Sequence, residues 1–279
     1  MNQKLREFRK QPHWSFSSLN SFINICSLQW AFRYIYKLES EQTSVNLIFG
    51  TVFHKTASWM ALLRQKDIYV TSEEAMNVFS EIWNIEYKAE DKLKLSSEEV
   101  NKLNDTGRKM IESLNSKWIE DNIVSVGKAF SVFIPGTSKA LVGEIDLIVK
   151  DDENNKILVD WKTSARKWPP DKSNKDLQAT CFLYAYEQID PDFSATDNLF
   201  RYDVITKTKE PSYTQHSTYR NKDNFQRLSQ LIRTVERAVK AEVFFPNETG
   251  FFCNSCQYAC SCKSWHRNQA RTISIPIAA

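Results

Sequence analysis

The sequence predicts a mixed α/β fold in which helices flank a compact mixed sheet, and three observations carry the prediction. Apolar residues recur at helical spacing through most of the first 121 positions. The period then shortens to that of strands over residues 126–164. Helical and strand patterns follow one another from there to residue 245, with no internal repeat and no low-complexity linker. The chain has 279 residues, 42% hydrophobic and 25% charged, with only 6 Gly and 8 Pro, which is the make-up of a globular protein with a sizeable core. We expect one domain over 1–279, made of a helical part at 15–125, a core at 126–245 and a cysteine-rich segment at 246–270.

The elements follow in order. SFSSLNSFINICSLQWAFRYIYKL opens on serines suited to N-capping and places Leu19, Phe22, Leu28, Trp30 and Phe32 at helical spacing, which predicts one helix with Cys26 in its middle. SVNLIFGTVFHKTASWMALLRQK reads as a second helix with Gly50 and His54 in its early part. Residues 72–121, rich in Glu, Lys and Leu, read as two or more amphipathic helices. KAFSVFIPG, ALVGEIDLIVK and KILVDWKTS are short β-branched runs separated by turn formers, the pattern of a meander, and DDENN is a hairpin turn. NKDLQATCFLYAYEQI then predicts a helix, LFRYDVITKTK and YTQHSTYR two strands, and NFQRLSQLIRTVERAVKAEVF a long helix.

Composition narrows the function classes. No run of about 18 apolar residues occurs, and the basic N-terminus is followed by no apolar stretch, so we expect a cytoplasmic protein without a membrane partner. The net charge of +3 permits a polyanionic partner, and residues 201–240 hold nine basic against four acidic side chains. A solvated helix face would give the same bias.

The hairpin carries the chemistry. Side chains alternate along a strand, so Glu144 and Asp146 share one face of GEIDLIV while Ile145, Leu147 and Val149 share the other. Asp160 and Lys162 likewise share a face of ILVDWK, opposite Trp161. A hairpin folded about position 153 sets Asp146 across from Asp160 and Glu144 across from Lys162. A surface salt-bridge ladder would give the same pattern. However, LIVK and ILVD are nearly continuous apolar runs, as in strands buried on both faces, where charges are costly unless they bind something. Carboxylate oxygens are hard ligands suited to Mg²⁺ or Mn²⁺. A lysine beside them can stabilise phosphoryl charge and orient an attacking water.

GEIDLI followed by VDWKTS resembles the D…(D/E)XK motif of the PD-(D/E)XK nuclease superfamily, in its RecB-like and Cas4-like branch. The resemblance implies a restriction-endonuclease-like central sheet and a Mg²⁺- or Mn²⁺-dependent exonuclease acting on single-stranded or end-bearing DNA. It implies Asp146 and Asp160 as metal ligands, joined by the Trp161 backbone carbonyl and by His54 of FGTVFHK. Lys162 would position the nucleophilic water, and Gln178 of DLQATCFLYAYEQ would help to orient water or substrate. The branch's tyrosine four residues further on is Phe182 here, with Tyr184 a substitute. Arg33, Arg166, Lys167 and Trp168 are candidate DNA contacts, being basic groups interleaved with aromatics; Trp168, before Pro169 and Pro170, could equally cap a loop. A homo-oligomer or a complex with other DNA-processing proteins is compatible with all of this.

FFCNSCQYACSC holds four of the six cysteines. In a reducing compartment, clustered cysteines point to a metal or cluster more than to disulfides. Four thiolates can hold a [4Fe–4S] cluster or Zn²⁺. A closed zinc site would use Cys253, Cys256, Cys260 and Cys262. In iron–sulfur members of the resembled branch one N-terminal cysteine joins a C-x2-C-x5-C set, which implies Cys26 with Cys253, Cys256 and Cys262 and leaves Cys260 spare. Such a cluster would tie the chain's two ends together in a structural role. Cys181 reads as a core residue. Two competing readings are a catalytically weak, nuclease-derived subunit that binds DNA ends and a zinc-stabilised interaction module.

Overall fold

The computed structural model describes residues 2–93, 95–118, 122–195 and 198–272. The N-terminal part holds α1 (Gln3–Phe8), β1 (His13–Trp14), α2 (Phe16–Asn20), α3 (Ser27–Tyr34), α4 (Val45–Arg64), α5 (Ser72–Lys88) and α6 (Ser97–Lys117). The strands β2 (Asn122–Val132), β3 (Ala140–Lys150) and β4 (Lys156–Ser164) follow, then α7 (Lys172–Lys175) and α8 (Leu177–Glu187). Next come β5 (Phe200–Thr206), β6 (Tyr213–Thr218), α9 (Lys222–Lys240) and α10 (Ala259–Thr272).

The helix expected around Cys26 is broken there. A π-helical turn, Ser21–Ile25, follows α2, and the Cys26 N–H closes it onto the Ser21 carbonyl at 2.9 Å. Cys26 itself is extended and caps α3, its sulfur accepting the Gln29 N–H at 3.4 Å. The break lets α3 start against the C-terminal segment: Leu28 N–H and Ser27 Oγ both donate to the Phe245 carbonyl, at 3.2 and 3.0 Å. Helices α4, α5, α6 and α9 match expectation, whereas α1 and α10 were not expected and the helix expected from Asn174 is split at Asp176 into α7 and α8; α5 and α6 open on capping boxes, Thr71 with Glu74 and Ser96 with Glu99.

The strands form one mixed sheet, in the order β1-β3-β4-β5-β6 with β2 also on β3. β3 and β4 are antiparallel, Leu147 opposite Val159 and Lys150 opposite Lys156, which is the fold-back about position 153. The turn is fixed by Asp151, whose Oδ1 accepts the N–H groups of Glu153 and Asn155 at 3.0 and 2.8 Å, and by Asn154 at φ 66°. β4 and β5 are parallel, with α8 in the crossover.

Helices cover both faces. α4, α5 and α6 bury Phe49, Phe53, Phe79 and Trp83 against Leu147, Val149, Val159 and Trp161. On the other face α8 and α9 bury Leu183, Leu228 and Ile232 against Ile145, Ile148, Leu158 and Tyr202. Ile145 therefore packs in the opposite cluster from Leu147 and Val149, against the shared face expected for the three. Beyond Leu147 β4 no longer pairs with β3. Among the described residues no helix is long and apolar enough to cross a membrane.

Candidate active site

One edge of β3 runs along β2 for almost its full length. The other edge is shared: β4 pairs with residues 147–150 and β1 with Ala140 and Leu141. Between those two partners lies a gap, and Asp146 sits at its rim. The splaying corrects the expected juxtaposition of Glu144 and Lys162, because β4 has left β3 before Glu144 is reached. Glu144 instead lies opposite Ala129 of β2, and burial together with the Asp146 charge raises its carboxyl pKa.

The gap collects the expected side chains. Asp146 Oδ2 accepts the Trp161 N–H at 3.0 Å and lies 3.1 Å from His54 Nδ1 of α4. N–H and C=O of one extended residue leave a strand on the same edge, so the Trp161 carbonyl is also presented to the gap. Asp160 lies on the opposite face of β4 from Trp161, with Oδ2 2.5 Å from Lys162 Nζ, while Gln178 Nε2 donates to Oδ1. Gln178 Oε1 in turn accepts from Lys162 Nζ at 2.7 Å. Gln178 thus holds the lysine and the carboxylate together from the first turn of α8. That helix start is capped by Asp176, which accepts the Gln178 N–H at 2.9 Å.

The charges are unequal. Asp160 is 3% exposed, and burial, offset in part by Lys162, lifts its carboxyl from 3.8 to about 6. Burial would lower Lys162, but the charge and hydrogen bond of Asp160, with the charges of Asp146 and Asp176, together outweigh it and raise the ammonium pKa. The pair is asymmetric because Asp160 is the deeper partner and also feels the charge of Asp146. Burial would raise Asp146 too, yet His54, Lys162 and the Trp161 N–H hold it below the usual carboxylate range. His54 is pulled down by burial and lifted further by Asp146, ending above the ordinary imidazole value. The two carboxylates at the buried gap and the carbonyl at its rim are hard oxygen donors that suit Mg²⁺ or Mn²⁺, with the borderline imidazole of His54 beside them. Among the described residues no three His, Cys, Asp or Glu side chains are already closed around a single point.

Other expected residues lie apart. Tyr184 packs on Phe225 of α9, ring centres 5.7 Å apart, and Phe182 is core. Trp168 is buried, 5.0 Å from the Tyr202 ring and 5.8 Å from His216, with Lys172 Nζ 4.1 Å over its face, so it is closed off from base stacking. Arg33, Arg166 and Lys167 are exposed. Three supporting residues escaped the sequence reading. The Tyr202 hydroxyl accepts the Ala179 N–H at 3.2 Å. Asp176 caps α8, as above. Buried Arg220 donates to the carbonyls of Ser173 and Asp176 at 3.0 and 2.8 Å. Asp176 in KDLQ had a readable signal, an Asx immediately before a helical pattern; the other two act only through tertiary contact.

At the far end of α3, Cys26, Cys253, Cys256 and Cys262 line one hollow of about 330 Å³ with Leu28 and Phe32. Cys260 is absent from that lining; its N–H binds Glu41 Oε1 at 3.0 Å on the outside. Burial raises the Cys262 thiol, and Cys26, Cys256 and Cys253 add to it through their charge; burial likewise raises Cys256. Cys181 is fully buried in the core, as expected.

Comparison with known proteins gives a consistent picture. A crystal structure described as a "Putative exonuclease" from Eubacterium rectale superposes with TM-score 0.55 at 12% identity, covering 91% of this chain and 92% of that one. At that identity it shows a shared fold alone. The crystal structure of SSO0001 gives TM-score 0.42 at 12% identity over 93% and 92%, too low to carry an argument. No curated protein matches the chain. The family model of the PD-(D/E)XK nuclease superfamily matches residues 13–263, which takes in the splayed hairpin, His54 and Gln178, and the chain belongs to that superfamily.

Proposed function

We propose that the chain is a metal-dependent deoxyribonuclease of Cas4-like type, an exonuclease working on single-stranded or end-bearing DNA. The observation that carries the reading is the buried Asp160, kept beside Lys162 by Gln178 at a gap whose other wall is Asp146. Nucleases of this superfamily generally use divalent metals such as Mg²⁺ or Mn²⁺. Asp146, Asp160, the Trp161 carbonyl and His54 would hold the ion. When bound, it would supply Lewis-acid activation of the phosphodiester and of a water.

The chain's own residues supply the rest. Lys162, with its ammonium pKa raised, is a cation at neutral pH and places positive charge where the phosphoryl oxygens gain negative charge. Gln178 orients both groups, its Oε1 accepting a hydrogen bond from the ammonium and its Nε2 donating one to Asp160. His54 holds the Asp146 carboxylate in one orientation, as an imidazole partner does in metal sites generally. Cys26, Cys253, Cys256 and Cys262 would hold a [4Fe–4S] cluster that ties α3 to the C-terminal segment, a structural role supported by the convergence of the four thiols on one hollow.

The test is degradation of end-labelled single-stranded DNA in Mn²⁺ by wild type and Lys162→Ala. Loss of a positioned charge-stabilising group lowers such rates by roughly 10²–10⁴-fold. Wild type that cuts no better than the variant overturns the reading.

A further inference from the structure

Away from the gap, an open trough of about 870 Å³ follows α9 past the β2–β3 turn. Its walls carry Lys139, Arg233, Arg237 and Lys240, and among the described residues none of these four forms an ion pair. Arg233 and Arg237 stand at i,i+4 on one helix, a like-charge spacing that destabilises a helix unless an anion lies between. The one carboxylate in the wall, Glu236, is otherwise engaged. It accepts Trp14 Nε1 at 3.0 Å, the Ser138 N–H at 2.9 Å and Ser138 Oγ at 2.9 Å. Gly136 lies at the same feature: its φ of 78° favours glycine, and a Cβ there would stand 3.0 Å from Arg233 Cδ, so the arginine lies close against the turn.

The trough does not end there. A second hollow of about 390 Å³ shares Gln230 and Arg233 with it and reaches Tyr184 and Phe225. Tyr184 lies on α8, the helix that begins with Gln178 in the active site. Four cations are thus followed by an aromatic ring on the helix whose first turn carries Gln178, the kinds of group that hold single-stranded nucleic acid.

We infer that this trough binds the sugar–phosphate backbone of a DNA strand whose end lies in the active site; the inference rests on the nuclease reading above. Trp14, in the trough wall, pairs with Leu141, five residues along β3 from Asp146, about 17 Å at strand rise. At about 3.4 Å per stacked nucleotide, a strand of about three nucleotides in the active site, about 10 Å, falls short of the basic wall, and one of about twenty-five crosses it.

The experiment measures fluorescence anisotropy of both oligonucleotides in EDTA, with wild type and Arg233→Gln/Arg237→Gln, followed by their cleavage in Mn²⁺. Both arginines are exposed, so equal thermal melts certify the variant's fold. The expected result is that wild type binds the longer strand roughly tenfold tighter, and that the variant loses this gain while its log–log salt slope shrinks by about 1.4, two phosphate contacts at about 0.7 each. Binding and cleavage of the short strand stay unchanged. A variant that keeps the wild-type length dependence and salt slope overturns the inference. So does wild type that cuts the short strand but gains nothing from length, and the nuclease reading then stands. Wild type that neither binds nor cuts either strand overturns both.

Discussion

Asp160→Asn removes a charge that the metal-free protein holds unfavourably. Asp160 is 3% exposed, and burial leaves its carboxyl at about 6 instead of 3.8 even with Lys162 Nζ 2.5 Å away. A displacement of that size corresponds to about 3 kcal/mol against the folded chain once the group is ionised. The sign follows from proton counting. Between 3.8 and about 6 the folded chain keeps a proton on Asp160 that the unfolded chain has released, so stability falls as pH rises through that window. The raised pKa of His54 extends the fall above 6.5 in the same direction. With an unfolding entropy of about 2.1 cal/mol/K per residue, 3 kcal/mol is about 5 °C for a chain of this length. In EDTA at about pH 7.5, Asp160→Asn should therefore melt about 5 °C above wild type, and at about pH 4.5, where wild type is mostly protonated, the gap should narrow to about 2 °C. Circular dichroism melts across that range are the assay. A variant that melts at or below wild type at about pH 7.5 would refute the reasoning, because Lys162 would then fully offset the buried charge.

Two further outcomes concern packing and the cysteines. Gly107 of α6 faces the Phe79 ring, whose Cζ would stand 1.9 Å from an added Cβ, and Phe79 is fully buried; Gly107→Ala should lose about 3 kcal/mol in urea unfolding. A Phe79→Leu background that fails to recover part of that loss would rule out the clash as its cause. Anaerobically purified Cys26→Ser should lose iron and visible absorption, whereas Cys260→Ala keeps both; zinc without iron in wild type would contradict the cluster assignment.

Much of the site was legible because strand periodicity and the DDENN turn together fix which residues meet. Asp146, Asp160 and Lys162 came from alternation about position 153, and the turn chemistry of Asp151 and Asn154 enforces that register. Alternation also misled, because it assumes that two strands stay paired. Once β4 separates from β3 beyond Leu147, Glu144 loses Lys162 as a neighbour and Ile145 changes cluster. The helix break at Cys26 was hidden for a similar reason: its cause is the Phe245 carbonyl, more than two hundred positions away in the chain. Trp168 and Arg220 are decided wholly by burial against Tyr202 and α7–α8, which no local pattern encodes.

In the proposed mechanism the carboxylate pair at the splayed edge of β3 and β4 holds a divalent ion beside Lys162. The most direct measurement is a titration of Mn²⁺, followed by electron paramagnetic resonance, into wild type, Asp146→Asn, Asp160→Asn and Lys162→Ala. Wild type and Lys162→Ala should take up Mn²⁺ at a site that both carboxylate variants lose. Undiminished uptake by either Asp146→Asn or Asp160→Asn would contradict the mechanism.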